Sequence, residues 1–383
     1  MADYQDRRET LSLKWRRAKE GVLPFWIADM DYRSPDCIRE ALREAIEEPL
    51  GYAMNPEGYL PAFLEWERKY QGYEVKPEWV EFAPGVVPAM HWLIDIFTKK
   101  GDAVIITPPV YVSFIEAIEY NERKRIDSDL VWDGKRWQID FADFEQKIID
   151  NDVKAFILCN PHNPTGNVWT GEELKRLLDI CQKHHVYVIV DEIHQDLYDP
   201  ALGRKKVTAA TVGDYDDILF TLTAASKSFN LGGVQNAFAI IPDEENRKKF
   251  AKYRKVLGFR GGNTLGYVAT EAAFAKGREW LDGAIRDIYA NEKILRDILL
   301  EAFPDLPMAK LEGTYLVWID LSGWFRNEGE VRSFCEEIRI LPSFGEEFGG
   351  KRYGSFIRFN IATSPENVRE GVKRLVEGLK KRN

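Results

Sequence analysis

"VYVIVDEIHQDL", residues 186–197, places five β-branched or aromatic residues directly ahead of an acidic pair, Asp191 and Glu192. An apolar run without polar alternation is a strand buried on both faces, the kind that builds parallel sheets. Ligands of such sheets bind outside the carboxyl ends of the strands, so Asp191 stands at an edge where function is expected. As a single residue it reads equally as the N-cap of a following helix. Further on, "DILFT" (217–221) leads to "TAASKSFNLGG" (223–233), with Lys227, thirty-six residues after Asp191, among small and hydroxylated side chains. Most lysines are solvated cations. One held in a tight turn can instead lose its proton and act as a nucleophile or form a Schiff base.

Outward from these two stretches the pattern repeats. "WVEF", "AVIIT", "KAFILC", "VYVIV", "DILFT" and "AFAII" alternate with amphipathic segments between about residues 79 and 241. This predicts an α/β fold with a mostly parallel sheet covered on both faces. Thr170 followed by Glu173 predicts a capping box at the start of one covering helix. After the helix-like stretch 266–303, "GTYLVWIDL" and "SFIRFNIAT" alternate like strands of a smaller sheet. The first 45 or so residues hold one helix, "PDCIREALREAIEE", with too little core of their own, and are expected to dock on the C-terminal region.

With 383 residues, 45% of them hydrophobic, the chain can bury a large core. Its net charge of −9 disfavours binding to DNA or anionic membranes, which would repel it. No apolar run of signal-peptide or membrane-spanning length occurs, so a cytoplasmic protein is expected. Cys37, Cys159, Cys181 and Cys335 form no CxxC pair, suggesting neither a metal site nor a disulfide framework.

Other residues beyond strand ends carry candidate chemistry. "FAPGVVPAM" places Gly85 before a helix, where the amides of Val86 and Val87 could hold a phosphate. "TPPVYVSF" sets Tyr111 as a packing residue or a stacking platform. "FILCNPHNPTG" leaves its strand through two Asn-Pro steps. In "SFIRFNIAT", Ile357, Phe359 and Ile361 take one face and Arg358 and Asn360 the other; Arg358 suits a planar anion or a structural ion pair.

Together these features resemble the aspartate aminotransferase fold of pyridoxal-phosphate enzymes, fold type I. "LPFWIADMDYRSP", "LCNPHNPTGNVWT", "DEIHQDL", "SKSFNLGG" and "GTYLVWIDL" resemble its branch of carbon–sulfur β-lyases, often called cystathionine β-lyases, from about residue 7 to the end. The resemblance implies a three-layer large domain with a mostly parallel seven-stranded sheet, residues 46–284. It also implies a smaller α/β domain from both chain ends, 1–45 and 285–383. The cofactor would be pyridoxal 5'-phosphate. By the same resemblance Lys227 is the Schiff-base lysine, Asp191 partners the pyridine nitrogen and Asn163 donates to the ring hydroxyl. Tyr111 stacks on the ring, Val86 and Val87 hold the phosphate, and Arg358 grips the substrate α-carboxylate. Tyr52, in "GYAMNPEGY", would reach into the site of a second subunit, making the active enzyme a homodimer.

Three positions depart from the pattern. His194 stands where many relatives have tyrosine, changing or removing a contact to the ring oxygen. Ala224 replaces a Ser or Thr, leaving Thr223 or Ser226 to serve the phosphate. Gln235 stands where transaminases commonly have arginine. The implied reaction is α,β-elimination from L-cystathionine or related S-substituted cysteines to thiol, pyruvate and ammonia, with an aminotransferase as the alternative.

Overall fold

The computed structural model describes residues 3–52 and 54–382. Its strands, in chain order, are β1 (Leu23–Phe25), β2 (Val80–Ala83), β3 (Ala103–Ile106), β4 (Lys124–Asp127), β5 (Val131–Trp132) and β6 (Trp137–Gln138). They continue with β7 (Ala155–Cys159), β8 (Tyr187–Asp191), β9 (Leu219–Thr223), β10 (Ala237–Ile240), β11 (Leu316–Asp320), β12 (Ile340–Phe344) and β13 (Phe356–Asn360). Seven form one sheet in the order β2-β10-β9-β8-β7-β3-β4, in which β10 alone runs antiparallel to its neighbours. All residues of β3, β7 and β9 are buried because helices cover both faces; β3 and β7 are continuous apolar runs, while β9 also buries Thr221 and Thr223. One face packs on the helices Val86–Phe97 and Val112–Tyr120, the other on Phe141–Asn151 and Gly171–Lys183. The predicted capping box starts the last of these: Thr170 Oγ1 accepts from Glu173 N at 3.1 Å, and Glu173 Oε2 accepts from Thr170 N at 2.7 Å.

A second sheet has the order β1-β12-β13-β11, with β1 parallel to β12 and the other pairs antiparallel. Helices Arg278–Ala302 and Pro365–Lys380 bury their apolar residues with it. The N-terminal segment divides. β1 joins this small sheet, while helix Asp36–Glu47 packs against helix Thr264–Lys276. The stretch 266–303 is not one helix but two, parted at Gly277. A Cβ there would lie 2.4 Å from Phe229 Cε1 and 2.5 Å from Ala273 O, so only glycine lets Phe229 come this close. Phe229 follows the turn that carries Lys227, which ties this break to the site described next.

Candidate active site

The carboxyl ends of the large sheet and one face of the small sheet enclose a cavity of about 720 Å³. Asp191 enters it as the last residue of β8, and Lys227 from the single helical turn Ala225–Ser228 that follows β9. Asn163 comes from the loop after β7, Tyr111 from the loop after β3, and Arg358 from β13. Gly85, Val86 and Val87 line it at the start of helix Val86–Phe97, which has no side-chain cap. Uncapped amides at a helix start leave the positive end of the dipole open to an anion.

Electrostatics follow from burial. The Asp191 carboxyl accepts a hydrogen bond from Ile193 N at 3.0 Å. Burial pushes its pKa up to about 7, against the opposing pull of that N–H and of the Lys227 charge. Lys227 Nζ donates to Ala28 O at 3.0 Å. Burial first, and then the Arg358 charge, push its pKa down to about 8, while Asp29 and Asp191 pull the other way. A lysine so placed spends part of its time as the free amine near neutral pH. Burial, aided by the charges of Lys227 and Arg358, holds His194 well below its ordinary value, so its ring is neutral. The ring packs edge-on to Tyr315 at 5.8 Å, and its buried Nδ1 has no hydrogen-bond partner among the described residues.

Arg358 is 4% exposed and held in place on three sides. It donates to Asn163 Oδ1 at 3.0 Å, to Trp26 O at 2.7 Å and to Ser343 Oγ at 3.0 Å, and its guanidinium lies 4.8 Å from the Phe348 ring centroid. Its buried Nε keeps an unused N–H. Asn163 reaches the guanidinium through a cis Asn163–Pro164 bond, in a loop whose Asn160–Pro161 bond is also cis.

Of the residues expected at the site, Val86, Val87, Tyr111, Asn163, Asp191, His194, Ser226, Lys227 and Arg358 all line this one cavity. Tyr52 does not; it is fully exposed on its own chain. Between the two hydroxyls offered for the phosphate, Ser226 lines the cavity and Thr223 lies buried in β9. Sequence reasoning missed the strap after β1, where Trp26, Ile27, Ala28 and Asp29 contribute backbone oxygens to Arg358, Asn360 and Lys227. It also missed Asn230, which both donates to Met30 O and accepts from Met30 N at 3.0 Å. A left-handed φ of 56° at Asn230 is the kind asparagine tolerates. The Asn after "SKSF" was the available signal.

The family model for aminotransferase class I and II matches residues 21–375. The chain belongs to this family. It is 36% identical over 98% of both chains to a Bacillus subtilis protein named cystathionine beta-lyase PatB. It is 29% identical to protein MalY of Escherichia coli, covering 98% of this chain and 97% of that one. Among solved structures, cystalysin from Treponema denticola, which contains a pyridoxal 5'-phosphate cofactor, superposes with a TM-score of 0.93 at 33% identity. That match covers 100% of this chain and 99% of the other. The PLP-bound C-S lyase from Staphylococcus hominis gives 0.91 at 30%, covering 98% and 97%. The seven-stranded, mostly parallel sheet is thus that of the fold type I enzymes. Among the described residues no helix is long and apolar enough to cross a membrane, and no group of His, Cys, Asp and Glu could hold a metal ion.

Proposed function

We propose that the chain is a pyridoxal 5'-phosphate-dependent carbon–sulfur β-lyase that releases thiol, pyruvate and ammonia from L-cystathionine or a related S-substituted cysteine. One observation carries this: Lys227, Asp191 and Arg358 converge on a single cavity in a chain that matches lyase-named relatives over nearly its full length. The residues present fit the cofactor. Asp191 is a buried carboxyl, pushed up to about 7, that a pyridinium N–H would satisfy. The open helix start at Val86 and Val87, with the Ser226 hydroxyl, suits a phosphate. Tyr111 offers a ring face, and Lys227 an amine with a lowered pKa.

When bound, the cofactor supplies an electron sink for the charge that develops at the substrate Cα. Arg358 holds the substrate α-carboxylate and so orients the Cα–H bond toward Lys227. Lys227 Nζ takes the α-proton as general base, its neutral fraction raised by burial. Asp191 holds a proton at the pyridine nitrogen. Asn163, which accepts from Arg358, and His194, whose neutral ring lines the same cavity, would flank the bound cofactor. Tyr52 we assign to the site of a second copy in a homodimer. Its full exposure, beside Leu50 at 58% and Met54 at 89%, supports an apolar surface that a partner covers.

The competing activity is transamination, after which the family is named. Product counting separates the two. Given L-cystathionine and no keto acid, a β-lyase forms many equivalents of pyruvate per site. A transaminase stops near one equivalent until a keto acid is added, and that outcome would overturn the proposal.

A further inference from the structure

A second cavity, of about 130 Å³, shares no lining residue with the catalytic one. Trp132 and Trp137 enter it from the β5–β6 hairpin, Trp318 and Asp320 from β11, and Phe356 from β13, while the 307–309 segment closes it. The rings enclose it on several sides. Trp132 and Trp137 are inclined 51° with centroids 5.7 Å apart, Trp137 and Phe356 58° at 6.2 Å, and Phe356 stacks on Trp318 at 5.1 Å.

Empty packing voids in proteins are apolar. This one has a carboxylate residue, Asp320, in its wall. The half-buried Asp320 carboxylate accepts a hydrogen bond from Ser322 N at 2.8 Å, and among the described residues no lysine or arginine pairs with it. Arg136, in the hairpin itself, stacks on Trp169 instead, at 5.3 Å. Aromatic faces converging beside an unneutralised carboxylate attract a cation, and a methylated ammonium is favoured because its weak hydration makes entry into an apolar cage inexpensive. The volume is far below the roughly 300 Å³ at which whole-ligand pockets begin, so the cage takes a headgroup.

We propose that this cavity is a binding site for a small quaternary-ammonium compound. The methylated nitrogen sits among the indoles against Asp320. The site stands independently of the catalytic proposal.

Choline is the probe, and 3,3-dimethylbutan-1-ol its uncharged isostere. Calorimetric titration of the cofactor-loaded protein at matched ionic strength should show saturable choline binding, with the isostere about tenfold weaker or more. Asp320→Asn keeps the acceptor for Ser322 N but removes the charge, and Trp132→Ala removes one wall from a partly exposed hairpin position. Each should weaken choline about tenfold while turnover of the sulfur substrate is retained. No saturable binding, equal affinity for the isostere, or unchanged choline affinity in both variants would overturn the proposal.

Discussion

Arg358 donates to Asn163 Oδ1 at 3.0 Å, joining the small sheet to the loop that leaves β7 of the large one. The contact links the group assigned to the substrate carboxylate with the group assigned to the cofactor ring, so a change at one is felt at the other. Because Asn163 spends its oxygen on the guanidinium, its amide N–H groups are turned to the remaining space.

Replacing Arg358 by alanine removes a buried charge whose other ligands, Trp26 O and Ser343 Oγ, stay behind. The expected loss in kcat/KM is about 2–5 kcal/mol, roughly 30- to 5,000-fold, for any substrate bearing an α-carboxylate. Arg358→Lys keeps the charge but not the planar fork and should fall between the two. Steady-state kinetics on cystathionine check this. A kcat/KM within twofold of wild type for Arg358→Ala would remove the clamp assignment.

The Lys227 amine should react with free pyridoxal phosphate and borohydride at a rate that rises with pH through about 8, the value to which burial lowers it. The Arg358 charge is the second cause of that lowering, so Arg358→Ala should move the midpoint upward. Peptide mapping after reduction should place the label on Lys227. A midpoint unmoved by loss of Arg358 would show that burial alone sets it.

Stability should depend on pH with a definite sign. Burial raises Asp191 to about 7, and burial with the neighbouring Asp196 charge raises Glu67 to about 8. A carboxyl whose folded pKa is raised binds its proton more tightly when folded. Its stabilisation is therefore complete below the ordinary carboxylate range of about 4 and lost as pH climbs through 7 to 8. Urea unfolding of cofactor-free protein should show stability declining over that window, and Asp191→Asn should flatten the lower part. The same variant should bind cofactor yet lose about a hundredfold or more in kcat.

How legible this was in the sequence depends on burial. β7 and β8 are covered on both faces, so AFILC and YVIV form unbroken apolar runs that turn chemistry then punctuates; β9, LFTLT, is as buried but carries Thr221 and Thr223. β4, "KRID", is an edge strand with a polar composition and carries no such run; only the resemblance implied a seventh strand. β5 and β6 are two residues long, too short for any periodicity, yet they supply two indoles of the aromatic cavity. The site residues that project side chains from strand ends were readable by position. The strap after β1 was not, because it works through carbonyl oxygens that every residue type possesses.

Gly277 makes a structural prediction of its own. Alanine there would press its Cβ on Phe229 and on Ala273 O, an overpacking that costs about 1–3 kcal/mol. Since Phe229 lies two residues beyond Lys227, the strain should also reach the catalytic turn. Thermal unfolding should shift down by several degrees, with cofactor affinity falling alongside. An unchanged melting temperature would show that helix Thr264–Lys276 moves freely enough to make room.

Tyr52 supports the most demanding test. It is fully exposed and outside the cavity of its own chain, so a role in catalysis requires a second protomer to bring it to a site. In a symmetric dimer each site would take Lys227 from one chain and Tyr52 from the other. Lys227→Ala and Tyr52→Phe homodimers should both be strongly impaired, the second less than the first because a ring without its hydroxyl still packs. Mixing the two with subunit exchange creates hybrids in which one site has lost both residues and the other keeps both. With random exchange half the dimers are hybrid and half their sites are intact, so activity should recover toward a quarter of wild type. Mixing without exchange should give only the sum of the two residual activities, which serves as the baseline. If exchange is verified by mass and activity stays at that baseline, Tyr52 serves no neighbouring site, and its exposure reflects some other surface of the molecule.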